Sequence, residues 1–226
     1  MSFRLIALIL LIITGFAMRA AAETQRYDFE GFTDIEVTDG LPVAIAVGGP
    51  FAITAEAVTG TLERLEVDQS GQTLTLSMGP GASNDDIRVL ISLPELLTIQ
   101  ARAGSAVEVR MEEGQSLGAI ASGGASLEVA TTLIGRAELF AASGASLRID
   151  GLCDGLSAES ASGSSLDASG FSCGAVKADA LSGSSLKVNA SQSAIVNARG
   201  GSSAYLTGSA RMVASQTSGG SSFLRN

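Results

Sequence analysis

The side chains of this chain that could do chemistry are carboxylates, hydroxyls and two thiols, for it contains no histidine and no tryptophan. Paired carboxylates can act as general acid and base, or can share a cation. Three pairs qualify: Asp85-Asp86, Glu112-Glu113, and Glu108 with Glu128. Neighbouring residues of an extended strand point to opposite faces, so the first two make poor dyads. Glu108 and Glu128 can share a face, where solvated surface carboxylates are the plainer account and a shared cation the sharper one. Serines are abundant, but the base that most often activates a serine is missing with histidine. A Ser-Lys arrangement is the nucleophile scheme left open. The glycines mark strand corners rather than helix starts, which is not the pattern of a phosphate-binding loop. The sequence is therefore read as non-enzymatic, with no catalytic residue, cofactor or metal site assigned. A polysaccharide-active enzyme is kept as a rival, because β-helices also host such activities.

What positions these side chains is a repeat. A Gly-[Ala/Ser]-Ser-apolar unit recurs at Gly124, Gly144, Gly163, Gly183, Gly201 and Gly220, with a weaker first copy at Gly104. The apolar residues that follow are Val107, Leu127, Leu147, Leu166, Leu186, Ala204 and Phe223, at steps of 20, 20, 19, 20, 18 and 19. Within each copy apolar and polar residues alternate, as in Leu127-Glu128-Val129 and Leu186-Lys187-Val188. Period two inside a period of about twenty predicts short strands stacked as coils of a solenoid. The expected fold is all-β, a right-handed parallel β-helix with coils of about 18–20 residues, the hand following the general rule for parallel crossovers. A sandwich or barrel of hairpins is the alternative, but it does not call for the same side chains every twentieth residue.

Reading down the expected stack gives columns. Val107 to Phe223 and Val109, Val129, Ile149, Ala168, Val188, Leu206 are apolar, hence inward. Between them run Glu108, Glu128, Arg148, Asp167, Lys187 and Tyr205, alternating in sign from Glu128 to Lys187. The glycine column suits a corner with positive φ. Beside it Ser126, Ser146, Ser165, Ser185, Ser203 and Ser222 form a line of hydroxyls, read either as turn chemistry or as an exposed binding ladder. Cys153 and Cys173 are one repeat apart. Stacked coils would bring them within disulfide range, given a one-residue bulge between them. A metal site or redox pair is poorly supported, with no histidine and no C-x-x-C spacing.

Residues 1–22 read as a secretory leader: a basic start, the apolar run Leu5–Phe16, and Arg19-Ala20-Ala21-Ala22 before Glu23. An uncleaved anchor is the alternative, although the run is short for a membrane span. Loss of the leader removes Arg4 and Arg19 and takes the net charge from −9 to −11. That sign argues against nucleic acid and anionic membrane surfaces as partners, and no membrane insertion is expected after cleavage. Residues 23–226 are read as one domain, with 23–100 irregular and 101–226 regular. Strands are expected at Ile35–Val37, Val43–Val47, Phe51–Ala57, Leu65–Val67, Leu74–Ser77 and Ile87–Leu93, with a hairpin turn at Ser70-Gly71 and a loop at Gly79–Asn84. The irregular part would cap the solenoid.

Phe32-Thr33-Asp34-Ile35-Glu36-Val37, Leu41–Val47, Leu74-Thr75-Leu76, Ile91-Ser92-Leu93-Pro94-Glu95-Leu96 and the recurring Ser-Gly-[Ala/Ser]-Ser together resemble the GIN domain, the putative auto-transporter adhesin head domain. The resemblance spans nearly all of 23–226. It implies a β-helical exported bacterial protein and carries no catalytic residue onto these positions. The chain stops at Asn226 without room for a C-terminal membrane barrel, which departs from what "auto-transporter" implies. The expected role is binding or adhesion at the cell envelope, periplasmic, outer-surface or secreted, toward a glycan or protein ligand. A structural module that self-assembles end to end through open strand edges is the alternative.

Overall fold

The structure is a computed structural model and describes residues 23–57, 62–79 and 87–226. The leader reading, the Asp85-Asp86 pair and nearly all of the Gly79–Asn84 loop fall outside the described residues. The strands of the N-terminal part are β1 (Glu23–Tyr27), β2 (Asp34–Val37), β3 (Pro42–Val47), β4 (Ala52–Ala57), β5 (Leu65–Ser70), β6 (Thr73–Met78), β7 (Ile87–Leu93), β8 (Thr98–Ala101) and β9 (Ala106–Arg110). Ser70 faces Thr73 across the β5–β6 hairpin, as its Ser-Gly turn predicts.

The stack begins out of chain order. β2 pairs in parallel with β6 on one side and β8 on the other. β3 lies likewise between β7 and β9. Ile35 thus sits between Leu74 and Ile99, and Val43 between Val89 and Val107. Beyond β7 the pairing turns antiparallel, first to β4 and then from β4 to β1, while β5 lies antiparallel on β6. These antiparallel strands cover the outer edges of β6 and β7.

The regular part follows in chain order as β10 (Glu113–Ala121), β11 (Ser126–Ala141), β12 (Ser146–Ser160), β13 (Ser165–Leu181), β14 (Ser185–Arg199), β15 (Ser203–Thr207), β16 (Arg211–Ser218) and β17 (Ser222–Arg225). Each of β11 to β14 is a bent strand carrying two stacked runs, and all pair in parallel with their neighbours, making a parallel β-helix. Val107, Leu127, Leu147, Leu166, Leu186 and Ala204 are buried, as is every member of the Val109-to-Leu206 column; Phe223 is half-buried. Full burial of a Val, Leu or Ile side chain contributes roughly 1.5–3 kcal/mol, so the columns supply the main drive to stack.

Each coil closes on a four-residue turn. Ser143 and Gly144 both have positive φ, at 54° and 73°, and the Ala145 N–H donates to the Ala142 carbonyl at 3.2 Å. Two central residues with positive φ and that hydrogen bond match a type I′ turn. The same pair of positive φ values recurs at Gly104, Gly163 and Gly183, preceded by Ala103, Ser162 and Ser182. Glycine is needed there for its backbone, since a Cβ on Gly144 would meet nothing within 4 Å.

Candidate ligand-binding face

The first run of each coil builds one continuous outward face. Ser126, Ser146, Ser165, Ser185, Ser203 and Ser222 stand in register on successive strands, about 4.8 Å apart by strand spacing. All six are exposed or half-exposed. The hydroxyls of Ser126, Ser146, Ser165 and Ser185 have no hydrogen-bond partner among the described residues; Ser222 donates to Ser203 at 3.1 Å.

Turn chemistry belongs to the preceding position where that is a serine, as before Ser165, Ser185 and Ser203. Ser164, Ser184 and Ser202 are buried. The Ser164 Oγ accepts the Ala161 N–H at 3.1 Å and lies 2.8 Å from the Ala141 carbonyl of the coil below. Ser184 accepts from Leu181 and donates to the Ser160 carbonyl at 2.6 Å, and Ser202 accepts from Arg199 and donates to Ala180 at 2.8 Å. Sequence reasoning missed this division of labour. The signal was present: the buried column reads Ser105, Ala125, Ala145, Ser164, Ser184, Ser202, admitting only alanine and serine, as a small site that satisfies its own hydroxyl can.

The charged column is less regular than its sequence suggests. Lys187 reaches Asp167 on the next coil at 3.2 Å, as the alternation predicts. Arg148 instead grips Asp150 in its own strand at 3.0 and 3.2 Å and lies 3.8 Å from Glu128. Burial works to raise the Asp167 carboxyl, but hydrogen bonds from the Ser169 hydroxyl and N–H and from Lys187 outweigh it and hold it below the usual carboxylate range. Glu108 and Glu128 are register neighbours, and Glu108 has no partner among the described residues. Glu112 and Glu113 are exposed beside a groove bordered by Glu95 and Asp154. No group of three His, Cys, Asp or Glu side chains among the described residues could hold a metal ion.

Cys153 and Cys173 are register partners joined by a disulfide, with Cα atoms 4.4 Å apart. The one-residue bulge their spacing requires falls between Arg148 and Gly151, where the offset between coils changes from 19 to 20. The disulfide is buried between β12 and β13, so it braces the coils rather than lining the face.

At the N-terminal end the same face sinks into a shallow trough of about 430 Å³. Two rows of outward residues cross it. One runs Arg110, Ala46, Ser92, Ala52 and the other Glu108, Ala44, Leu90, Thr54, each on β9, β3, β7 and β4 in turn.

The molecule is similar in fold to solved structures of low sequence identity. One, described as a putative adhesin from Bacteroides fragilis, is 15% identical with a TM-score of 0.84, over 92% of this chain and 98% of that one. Another putative adhesin, from Parabacteroides merdae, is 12% identical with a TM-score of 0.70, over 92% and 97%. A putative lipid binding protein from Parabacteroides distasonis is 12% identical with a TM-score of 0.67, over 92% and 98%. No curated protein matches the sequence. The family described as "Putative auto-transporter adhesin, head GIN domain" matches residues 31–210, and with four-fifths of its length inside that match the chain belongs to this family.

Proposed function

We propose that residues 23–226, released from a leader at 1–22, form one exported, non-enzymatic binding module of the bacterial cell envelope. Its ligand, a glycan or a protein, is held on the serine-lined face. The observation that carries this reading is the contrast between two adjacent serine columns. Ser164, Ser184 and Ser202 spend their hydroxyls on the coil corner, whereas Ser126, Ser146, Ser165 and Ser185 present theirs outward without internal partners. A regular row of free donors and acceptors suits an extended ligand with repeating polar groups. Membership of an adhesin family and a disulfide both support an extracytoplasmic setting.

The test is binding of protein 23–226 to arrayed glycans and host surface proteins, with Ser165→Tyr as a blocking variant. Binding that the tyrosine abolishes supports the reading, and binding indifferent to it, or none, overturns it. Cell fractionation reports the compartment; protein confined to the cytoplasm would end the envelope assignment.

A second reading, end-to-end assembly, is favoured by one observation. Among the described residues β16 and β17 pair on one side only, with Val213 and Leu224 exposed there. Sedimentation that depends on concentration, and that charged substitutions at Val213 abolish, would support it.

A further inference from the structure

The trough at the N-terminal end of the face is built differently from the ladder it adjoins. Its floor is Ala44, Ala46 and Ala52, and Leu90 stands 40% exposed as a wall. Short side chains on β3 and β4 let a ligand come close to the sheet, and long ones on β9 and β7 rise around it. Two hydroxyls, Ser92 and Thr54, are set into this floor without partners among the described residues. At one end stand Arg110 and Glu108, two residues apart on the same face of β9. They form no ion pair with each other or with any other described residue. Arg110 is the one cation among the described residues that line the trough, so a negative group on a ligand is met there and must be held clear of Glu108.

We infer that this trough binds a carbohydrate unit carrying a carboxylate, an acidic sugar at the end of or within a glycan. The ring lays its C–H face on the alanines and against Leu90. Its carboxylate meets Arg110 in the two-pronged geometry a guanidinium offers. Its hydroxyls donate to Glu108 and exchange hydrogen bonds with Ser92 and Thr54. An acyl chain fits less well: the trough is shallow and open, so much of an aliphatic ligand would stay in water. A sugar keeps its outer hydroxyls solvated, and the glycan beyond it continues along the face toward Ser126. The inference rests on the reading of this face as the ligand-binding surface and names the class of ligand.

The experiment uses protein 23–226 on an array of glycans printed in pairs. One member of each pair bears glucuronate, galacturonate or sialate, and the other is its carboxyl-reduced counterpart. The acidic members should bind at least about tenfold more tightly, the worth of one charge-assisted hydrogen bond. Arg110→Gln should erase that preference, and Ala46→Leu, which fills the floor at an exposed position, should weaken all binding to the trough. Arg136→Gln, on another corner of the coil, should change nothing. Unchanged circular dichroism and melting of each variant serve as the folding check. Equal binding of both members of each pair, or a preference that survives Arg110→Gln, overturns the inference and leaves the adhesion reading standing. Binding confined to protein ligands does the same. Absence of binding to either glycans or proteins overturns both.

Discussion

Replacing Ser164 by alanine removes an oxygen that accepts the Ala161 N–H and bonds toward the Ala141 carbonyl inside the corner. The N–H and the carbonyl keep their 2.9 Å bond to each other, so the loss is that of the hydroxyl's own hydrogen bonds, about 0.5–1.5 kcal/mol. Ser165→Ala, one residue on, removes a hydroxyl that faces water and should shift stability by less than about 0.5 kcal/mol. Urea denaturation of the two variants checks the contrast; equal losses would mean that the exposed column also holds the corner. Asp167 offers a pH test on the same face. Its carboxyl is held below the usual range, so its contribution is present above the unfolded-chain value of about 3.9 and fades as pH falls through the lower folded value. Asp167→Asn should therefore cost about 0.2–1 kcal/mol at neutral pH and little at pH 2. A cost that persists undiminished at pH 2 would assign the effect to packing rather than charge.

At the scale of the strand and coil, the cross-link between β12 and β13 spans 20 residues of sequence. Closing a loop of that size in the unfolded chain is worth roughly 3 kcal/mol in the entropic account. Reduction, or Cys153→Ser with Cys173→Ser, should lower stability by about that amount without changing the β signal, read by urea denaturation with and without reductant. Identical curves, or two free thiols in protein recovered from outside the cytoplasm, would count against it. The bridge, its bulge and the inward columns were legible because a parallel stack repeats its environment every coil, so equivalent residues answer to the same constraint. The stacking order of the N-terminal part was not. Alternation in Ile35–Val37 and Val43–Val47 says which side chains point inward, but any apolar strand satisfies an apolar neighbour. Nothing in Ile35 distinguishes Leu74 or Ile99 as partners from a strand next to it in sequence. The trough was hidden for the same reason: Ala46, Ser92 and Arg110 become neighbours only through that order. Even β1 had no signal, being mostly exposed and polar.

For the molecule as a whole, a solenoid whose stability is a sum over coils and their interfaces should survive loss of one coil, provided the columns continue across the cut. Deleting residues 185–202 joins Ser184 to Ser203 and recreates the corner sequence Gly183-Ser184-Ser203-Ala204. Leu166 then stacks on Ala204 and Ala168 on Leu206, both buried columns unbroken, and Val176 meets Met212 in the second run. This shortened chain should keep its β-sheet circular dichroism and unfold cooperatively in urea. Its m-value should be reduced by the surface of one coil and its midpoint should be lower. Removing one residue more, 185–203, gives Gly183-Ser184-Ala204-Tyr205. Every side chain of β15 is then displaced by one position, which turns Ala204 and Leu206 outward and Tyr205 and Thr207 into the core. That variant should lose cooperative unfolding of its C-terminal coils and expose protease sites beyond Ser184. If the two deletions behave alike, register is not set by the stacked columns. The repeat would then be a composition the fold tolerates rather than the device that aligns one coil, and its row of hydroxyls, with the next.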